Sequence, residues 1–198
     1  MANMNAPTGL WPTGTVTGAA YNEQGRLYYI ANDATNTYAI GDVVTIKKGG
    51  DINGVPQCVK ATASSTPLGV VVGFEVSVAG PSLQGTNLNL SQIYLAQSAG
   101  TQYAYVVDDP NVVFQVQSSN TASGVVGSTA ILVATTADSN LSQSSPLSSE
   151  YVTIDASAVA TSMFQVIGVA QRQQNAVGAY NNVLVVWNKH QFKQVQGA

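Results

Sequence analysis

The stretch YAYVVDDPNVVFQVQ, residues 103–117, decides how the chain is read. Phe114 and Val116 alternate with Gln115 and Gln117, and the preceding YAYVV is equally strand-like, so two β-strands flank Asp108-Asp109-Pro110-Asn111. That tetrapeptide has turn composition: proline presets its φ, and Asp and Asn side chains bond to nearby backbone amides. A working pair of carboxylates would have to face each other across a substrate, with at least one pKa raised by burial. Neighbours in a strand point to opposite faces, and a turn tip is usually wet. Asp108 and Asp109 therefore read as a hairpin turn.

Working outward, the same pattern recurs on both sides. RLYYIA (26–31), YAIGDVVTIKK (38–48), PQCVKAT (56–62) and LGVVVGFEVSV (68–78) are rich in Val, Ile, Tyr and Thr and bounded by Gly, Asn, Asp or Pro. In GFEVSVAG, Phe74, Val76 and Val78 fall on one face and Glu75 and Ser77 on the other, as in a half-buried strand. KKGGDINGVP (47–56) is a loop or hairpin end, because Gly49-Gly50 and Asn53-Gly54 accept positive φ at little cost. Downstream, STAILVATT, FQVIGVAQ and NNVLVVWN are further strands, and within EYVTIDASAVATS the segment DASAVATS can form one helical turn capped by Asp155. Residues 81–102 fit either a strand through Leu88 and Leu90 or a turn capped by Ser91.

Residues 1–25 differ in being mostly turn formers, with Leu10, Trp11 and Tyr21 as their large apolar side chains. Such a segment can lie across a neighbouring molecule or pack back on its own domain. The expected architecture is all-β, jelly-roll or β-barrel-like, with an extended amino-terminal arm (1–25) and a single β-rich domain (26–198).

Composition narrows the function. Charged residues make up 9% of the 198-residue chain, against about 25% in an ordinary soluble protein, so the surface is polar but nearly uncharged. A chain of this kind suits a coat, an extracellular module or an assembly that hides much of each subunit. The seven basic residues are scattered and the net charge is −3, which leaves no basic face for nucleic acid. Cys58 is the sole cysteine and sits in an apolar segment, so an internal disulfide is excluded. No secretory signal and no apolar run of membrane-spanning length is visible, which predicts cytoplasmic synthesis.

Chemistry is sparse. One histidine and one cysteine cannot furnish the usual zinc sets, and neither Cys-x-x-Cys nor His-Glu-x-x-His occurs. No serine lies in a Gly-x-Ser-x-Gly elbow, and His190 reads as a strand-end residue rather than a base. NDATN (32–36) has oxygen ligands but reads as an Asx turn rather than a calcium loop. No catalytic residue, metal or cofactor is expected. A sugar platform built from Trp11, Tyr28, Tyr29, Tyr180 and Trp187 is the competing idea, although alternation in VLVVWN places Trp187 in a core or a subunit interface.

Residues 151–192 add a resemblance. A strand and Asp155-Ala156-Ser157 precede a strand ending in Gly168-Val169. A polar loop with Asn175 and Gly178 then leads to a last strand ending in Asn188-Lys189-His190. Together with YVVDDPNVVFQVQ, this resembles the family of tailed-bacteriophage head decoration, or capsid cement, proteins. Gln173-Gln174 departs from the Pro and Asp expected in that loop. The resemblance implies a β-barrel or jelly-roll-like domain on the outside of a capsid, usually a homotrimer, with the major capsid protein as partner and no catalysis. It implies a location on the virion exterior after synthesis in the bacterial host. On that account Leu10, Trp11, Tyr21, Asp108, Asp109 and Trp187 are the candidate capsid or trimer contacts.

Overall fold

The computed structural model describes residues 3–22, 24–31, 37–76, 94–95, 102–120, 126–133, 147–155, 162–173 and 175–193. Among them are thirteen strands and no helix: β1 (Trp11–Thr15), β2 (Arg26–Ile30), β3 (Tyr38–Ala39), β4 (Val43–Ile52), β5 (Val55–Lys60), β6 (Gly69–Val76), β7 (Tyr94–Leu95), β8 (Gln102–Val107), β9 (Val112–Gln117), β10 (Thr129–Val133), β11 (Tyr151–Asp155), β12 (Phe164–Val169) and β13 (Asn182–Trp187). The fold is all-β and barrel-like. The segments NDATN and ASAVAT, and most of 81–102, lie outside the described residues.

Five strands close a barrel in the order β2-β5-β4-β6-β8, with β2 and β5 parallel and every other pair antiparallel. Closure removes the sheet edges that would otherwise invite pairing with another chain. Its interior holds Tyr28, Ile30, Val44, Cys58, Leu68, Val71, Phe74, Ala104 and Val106. The β4–β5 hairpin turns at Asn53 (φ 51°) and Gly54 (φ 80°), the two positive values that a type I′ turn needs and that an Asn-Gly pair tolerates.

The other large sheet runs β1-β9-β13-β12-β10-β11. Its last strand is not left open. The Ser119 amide donates to the Val152 carbonyl at 2.9 Å. Asn120 brackets Ile154, its Nδ2 donating to the carbonyl at 2.8 Å and its Oδ1 accepting from the amide at 3.0 Å. Residues 118–120, which continue from β9, thus satisfy the far side of β11, and the sheet curls until its ends meet with β1 left outside as an edge strand. Inward side chains of this curl, among them Phe114, Val116, Leu132, Val152, Phe164, Val166, Val185 and Trp187, share one core with Leu10 and with Val43, Ala61, Val70 and Val107 from the barrel side. The Trp187 ring stacks on Phe164 at 4.9 Å and meets Phe114 edge-on at 5.2 Å. Such pairs add roughly 0.5–1.5 kcal/mol each beyond area burial.

Two expectations are corrected. The Asp-Asp-Pro-Asn turn is present, but it is not a hairpin: β8 pairs with β2 and β6, whereas β9 pairs with β1 and β13. It is a corner that carries the chain from one sheet to the other, and both flanking strands are interior to their sheets, each buried at five of its six residues. Glu75 is also not on a wet face. It is 2% exposed, opposite Tyr103 and within 3.4 Å of the Tyr105 hydroxyl, so two tyrosine rings cover the carboxylate that alternation alone assigns to solvent.

The amino-terminal segment packs on its own chain where it is described. Leu10 is 1% exposed, and β1 pairs with β9 from Trp11↔Gln115 to Thr15↔Val112. Gln117 holds the chain upstream, donating from Nε2 to the Met4 carbonyl at 2.9 Å and accepting from the Ala6 amide at 3.1 Å. At Gly9 (φ 72°) a β-carbon would come within 2.7 Å of the Gly41 carbonyl oxygen and the Ser148 side chain, so only glycine lets this crossing close. Beneath it lies a buried ion pair, Lys60 Nζ to Asp42 Oδ2 at 3.0 Å, with the Ala39 amide on the same oxygen at 2.8 Å. Burial pushes the Asp42 carboxyl above its ordinary value, against the pull of Lys60, the Ser148 hydroxyl and the Ala39 amide. Glu150 accepts the Val43 amide at 2.8 Å, which pins residues 148–150 to the barrel.

Candidate functional site

The corner between the two sheets opens into a cleft of about 650 Å³. The β1–β2 connection contributes Tyr21, Asn22, Gln24 and Gly25, and Arg26 follows at the start of β2. The corner itself contributes Asp108, Asp109 and Pro110, while Thr15, Val112 and Phe192 complete the lining. Three of the six residues singled out from sequence, Tyr21, Asp108 and Asp109, therefore meet in one place. Leu10 and Trp187 do not: both are 1% exposed within the chain's own core and are not available as contacts. Trp11 lies on the outward face of β1, 38% exposed, with its indole N–H donating to the Thr8 carbonyl at 3.0 Å.

The adjacent aspartates have opposite surroundings. Asp108 is turned inward, 9% exposed, where its Oδ2 accepts from the Tyr28 hydroxyl at 2.7 Å and faces Arg26 at 3.4 Å. Burial, then the bond to Asp108 and its charge, push the Tyr28 hydroxyl well above the ordinary phenol value, with Arg26 opposing. Asp109 is exposed and forms the Asx turn, its Oδ1 accepting from the Asn111 amide at 2.8 Å and the Asn111 side chain at 3.1 Å. Proline at the next position fixes the corner that separates them.

Behind the cleft an aromatic series runs to the core. Phe192, 47% exposed, meets His190 edge-on at 5.8 Å, and His190 lies 5.6 Å from Trp187. His190 is buried and its Nδ1 accepts the Phe192 amide at 3.1 Å. That bond requires an unprotonated Nδ1, and burial lowers the imidazole pKa, against the raising effect of the Leu68 carbonyl, Asp108 and Asp109. Cys58 is enclosed in the barrel, where burial pushes its thiol up to about 12. Among the described residues no group of three or more His, Cys, Asp or Glu is placed to hold a metal ion, and no helix is long and apolar enough to cross a membrane.

Sequence reasoning missed Arg26 and Phe192. Arg26 is an isolated cation at a strand start, and Phe192 is a lone aromatic beyond the last strand, and neither carries a local pattern that would single it out. None of the five aromatic residues proposed for a sugar platform lines the cleft, where the rings are Tyr21 and Phe192.

A second surface comes from the curled sheet. Register places Trp11, Gln115 and Leu184 in one outward row, with Val186, Gln165, Thr129 and Asp155 in another and Ile131 beside Thr153 in a third. Ile167, at the bulge between Val166 and Gly168, is 42% exposed. Throughout these six strands Asp155 is the only formally charged residue.

Compared with known proteins, the chain matches no family model, no curated protein and no solved structure.

Proposed function

We propose that this chain is a structural virion protein that binds the outer surface of a tailed-phage capsid and stabilises the shell by bridging neighbouring major capsid proteins, as a homotrimer. The observation that carries the reading is the nearly uncharged outward face of the curled sheet, whose six strands hold Asp155 as their one formal charge. Leu184, Val186, Ile131 and Ile167 alternate there with Gln, Thr and Asn, a surface that sheds water without stranding charge. Cores of protein interfaces are depleted of charged residues in the same way. The resemblance of residues 151–192 to head decoration proteins supports the same reading, since β11, β12 and β13 all lie within that span and form half of this sheet. Mechanically, such a protein adds contacts across seams between coat subunits, and these must break before the shell opens.

The test is the copy number of this chain relative to the major capsid protein in purified virions, by quantitative mass spectrometry. A ratio approaching one is expected for a cement that covers the lattice. A handful of copies, or none, would remove the cement reading.

A further inference from the structure

The corner cleft takes only Thr15 and Val112, at the ends of β1 and β9, from the curled sheet and differs in chemistry from that sheet's outward face, and we propose that it is a binding site for a neutral saccharide. Its volume, about 650 Å³, falls in the range of roughly 300–1,000 Å³ typical of small-ligand sites. Phe192 exposes nearly half its surface there, and its ring is held rather than loose, backed by His190, which rests on Trp187 in the core. A large apolar side chain fixed at the mouth of a polar cleft loses water favourably when something covers it. Tyr21 supplies a second ring, held through its hydroxyl to the Gln24 carbonyl at 3.1 Å. The weakly apolar C–H face of a pyranose fits such rings, while its rim of hydroxyls needs donors and acceptors in alternation.

The cleft has that alternation. Arg26, whose side chain is 72% exposed, offers N–H donors beside the acceptor Asp108, and Asp109 and the amides of Asn22 and Gln24 complete the set. Charged partners of this kind make the stronger hydrogen bonds to hydroxyls. Among the described lining residues one guanidinium stands against two carboxylates, so phosphorylated or carboxylated ligands meet net repulsion. Two carboxylates alone do not make a cation site, in keeping with the lack of a ligand cluster among the described residues.

Saturation-transfer NMR on the full chain tests the assignment, with maltotriose, cellotriose and chitotriose as neutral probes and sialyllactose as the anionic one. At least one neutral trisaccharide is expected to bind, more tightly than sialyllactose. Phe192→Ala should weaken that binding at least tenfold, and Arg26→Met, at a side chain that is 72% exposed, should weaken it as well. Lys47→Ala, on the β4–β5 hairpin, should leave it unchanged. Absence of transfer to every neutral probe, preference for sialyllactose, or undiminished binding by both cleft variants would overturn the proposal. None of these outcomes bears on capsid attachment, which the copy number reads separately.

Discussion

The barrel and the curled sheet are built from similar strands, yet they divide the chain's charge unequally. The five barrel strands carry Arg26, Lys47, Lys48, Asp51, Lys60 and Glu75, whereas the six strands of the curled sheet carry Asp155 alone. Three of these barrel charges, Lys47, Lys48 and Asp51, are exposed on the β4–β5 hairpin, while Lys60 is buried against Asp42 and Glu75 is buried beside Tyr103 and Tyr105. Low overall charge is therefore not spread evenly over the molecule. It is concentrated in one region, and that region presents aliphatic and neutral polar side chains outward. A face with so little charge costs little to desolvate, so under the proposed function the sheet is the surface expected to make contacts.

The contrast concerns surfaces, because the interiors are continuous. Trp187→Ala in the curled sheet and Phe74→Ala in the barrel each remove a fully buried ring and are expected to cost about 3–5 kcal/mol. Val43, Ala61, Val70 and Val107 join the sheet's core from the barrel side, so either substitution should lower the midpoint of one shared urea transition without changing its slope. Circular dichroism at far- and near-ultraviolet wavelengths checks this. Two separated transitions would mean that the regions fold independently and that the barrel is not the support of the sheet.

The all-β class, most strand positions and the Asn53-Gly54 hairpin were legible because each rests on local periodicity or on backbone conformations that few residues adopt. The corner was half legible. Asp109, Pro110 and Asn111 announce a turn through their own side-chain chemistry, but whether the strands on either side pair with each other depends on partners far away in sequence. The same limit hid Glu75, covered by Tyr103 and Tyr105 from another strand. It also left open whether Leu10 reached outward or back into its own core. The cleft assembles Arg26 and Phe192 from positions 166 residues apart in a chain of 198, and no spacing rule links them.

A lysine placed on the uncharged face sharpens the surface comparison. Ile167 is 42% exposed and outside the shared core, so Ile167→Lys should leave stability within about 0.5 kcal/mol. If the sheet face docks, the same change should weaken attachment to virions lacking the protein at least tenfold, since an interface would then bury an unpaired ammonium. Lys48→Glu on the barrel hairpin should leave attachment unaltered. Co-sedimentation of each variant with such particles measures both. Equal binding by Ile167→Lys and the parent would detach the uncharged face from function.

The smallest effect expected is a pH dependence that originates where the two regions meet. His190 is buried with a lowered pKa, because burial disfavours its charged form more than the Leu68 carbonyl, Asp108 and Asp109 favour it, and Lys193 acts with burial. Above the unfolded value of about 6.5 the imidazole is neutral in both states and contributes nothing. Below it the unfolded chain takes up the proton first, so stability falls as the pH drops towards the folded pKa and is then constant. Protonation also removes the acceptor for the Phe192 amide, which should free the ring at the cleft before the core responds. Melting temperatures measured from neutral to mildly acid pH should decline for the parent and less steeply for His190→Gln, whose amide oxygen can still accept that bond. Identical slopes would place the acid sensitivity elsewhere, though not in the buried Asp42–Lys60 pair. Burial raises the Asp42 carboxyl, so its contribution has the opposite sign: the folded state holds that proton longer, and acid favours it.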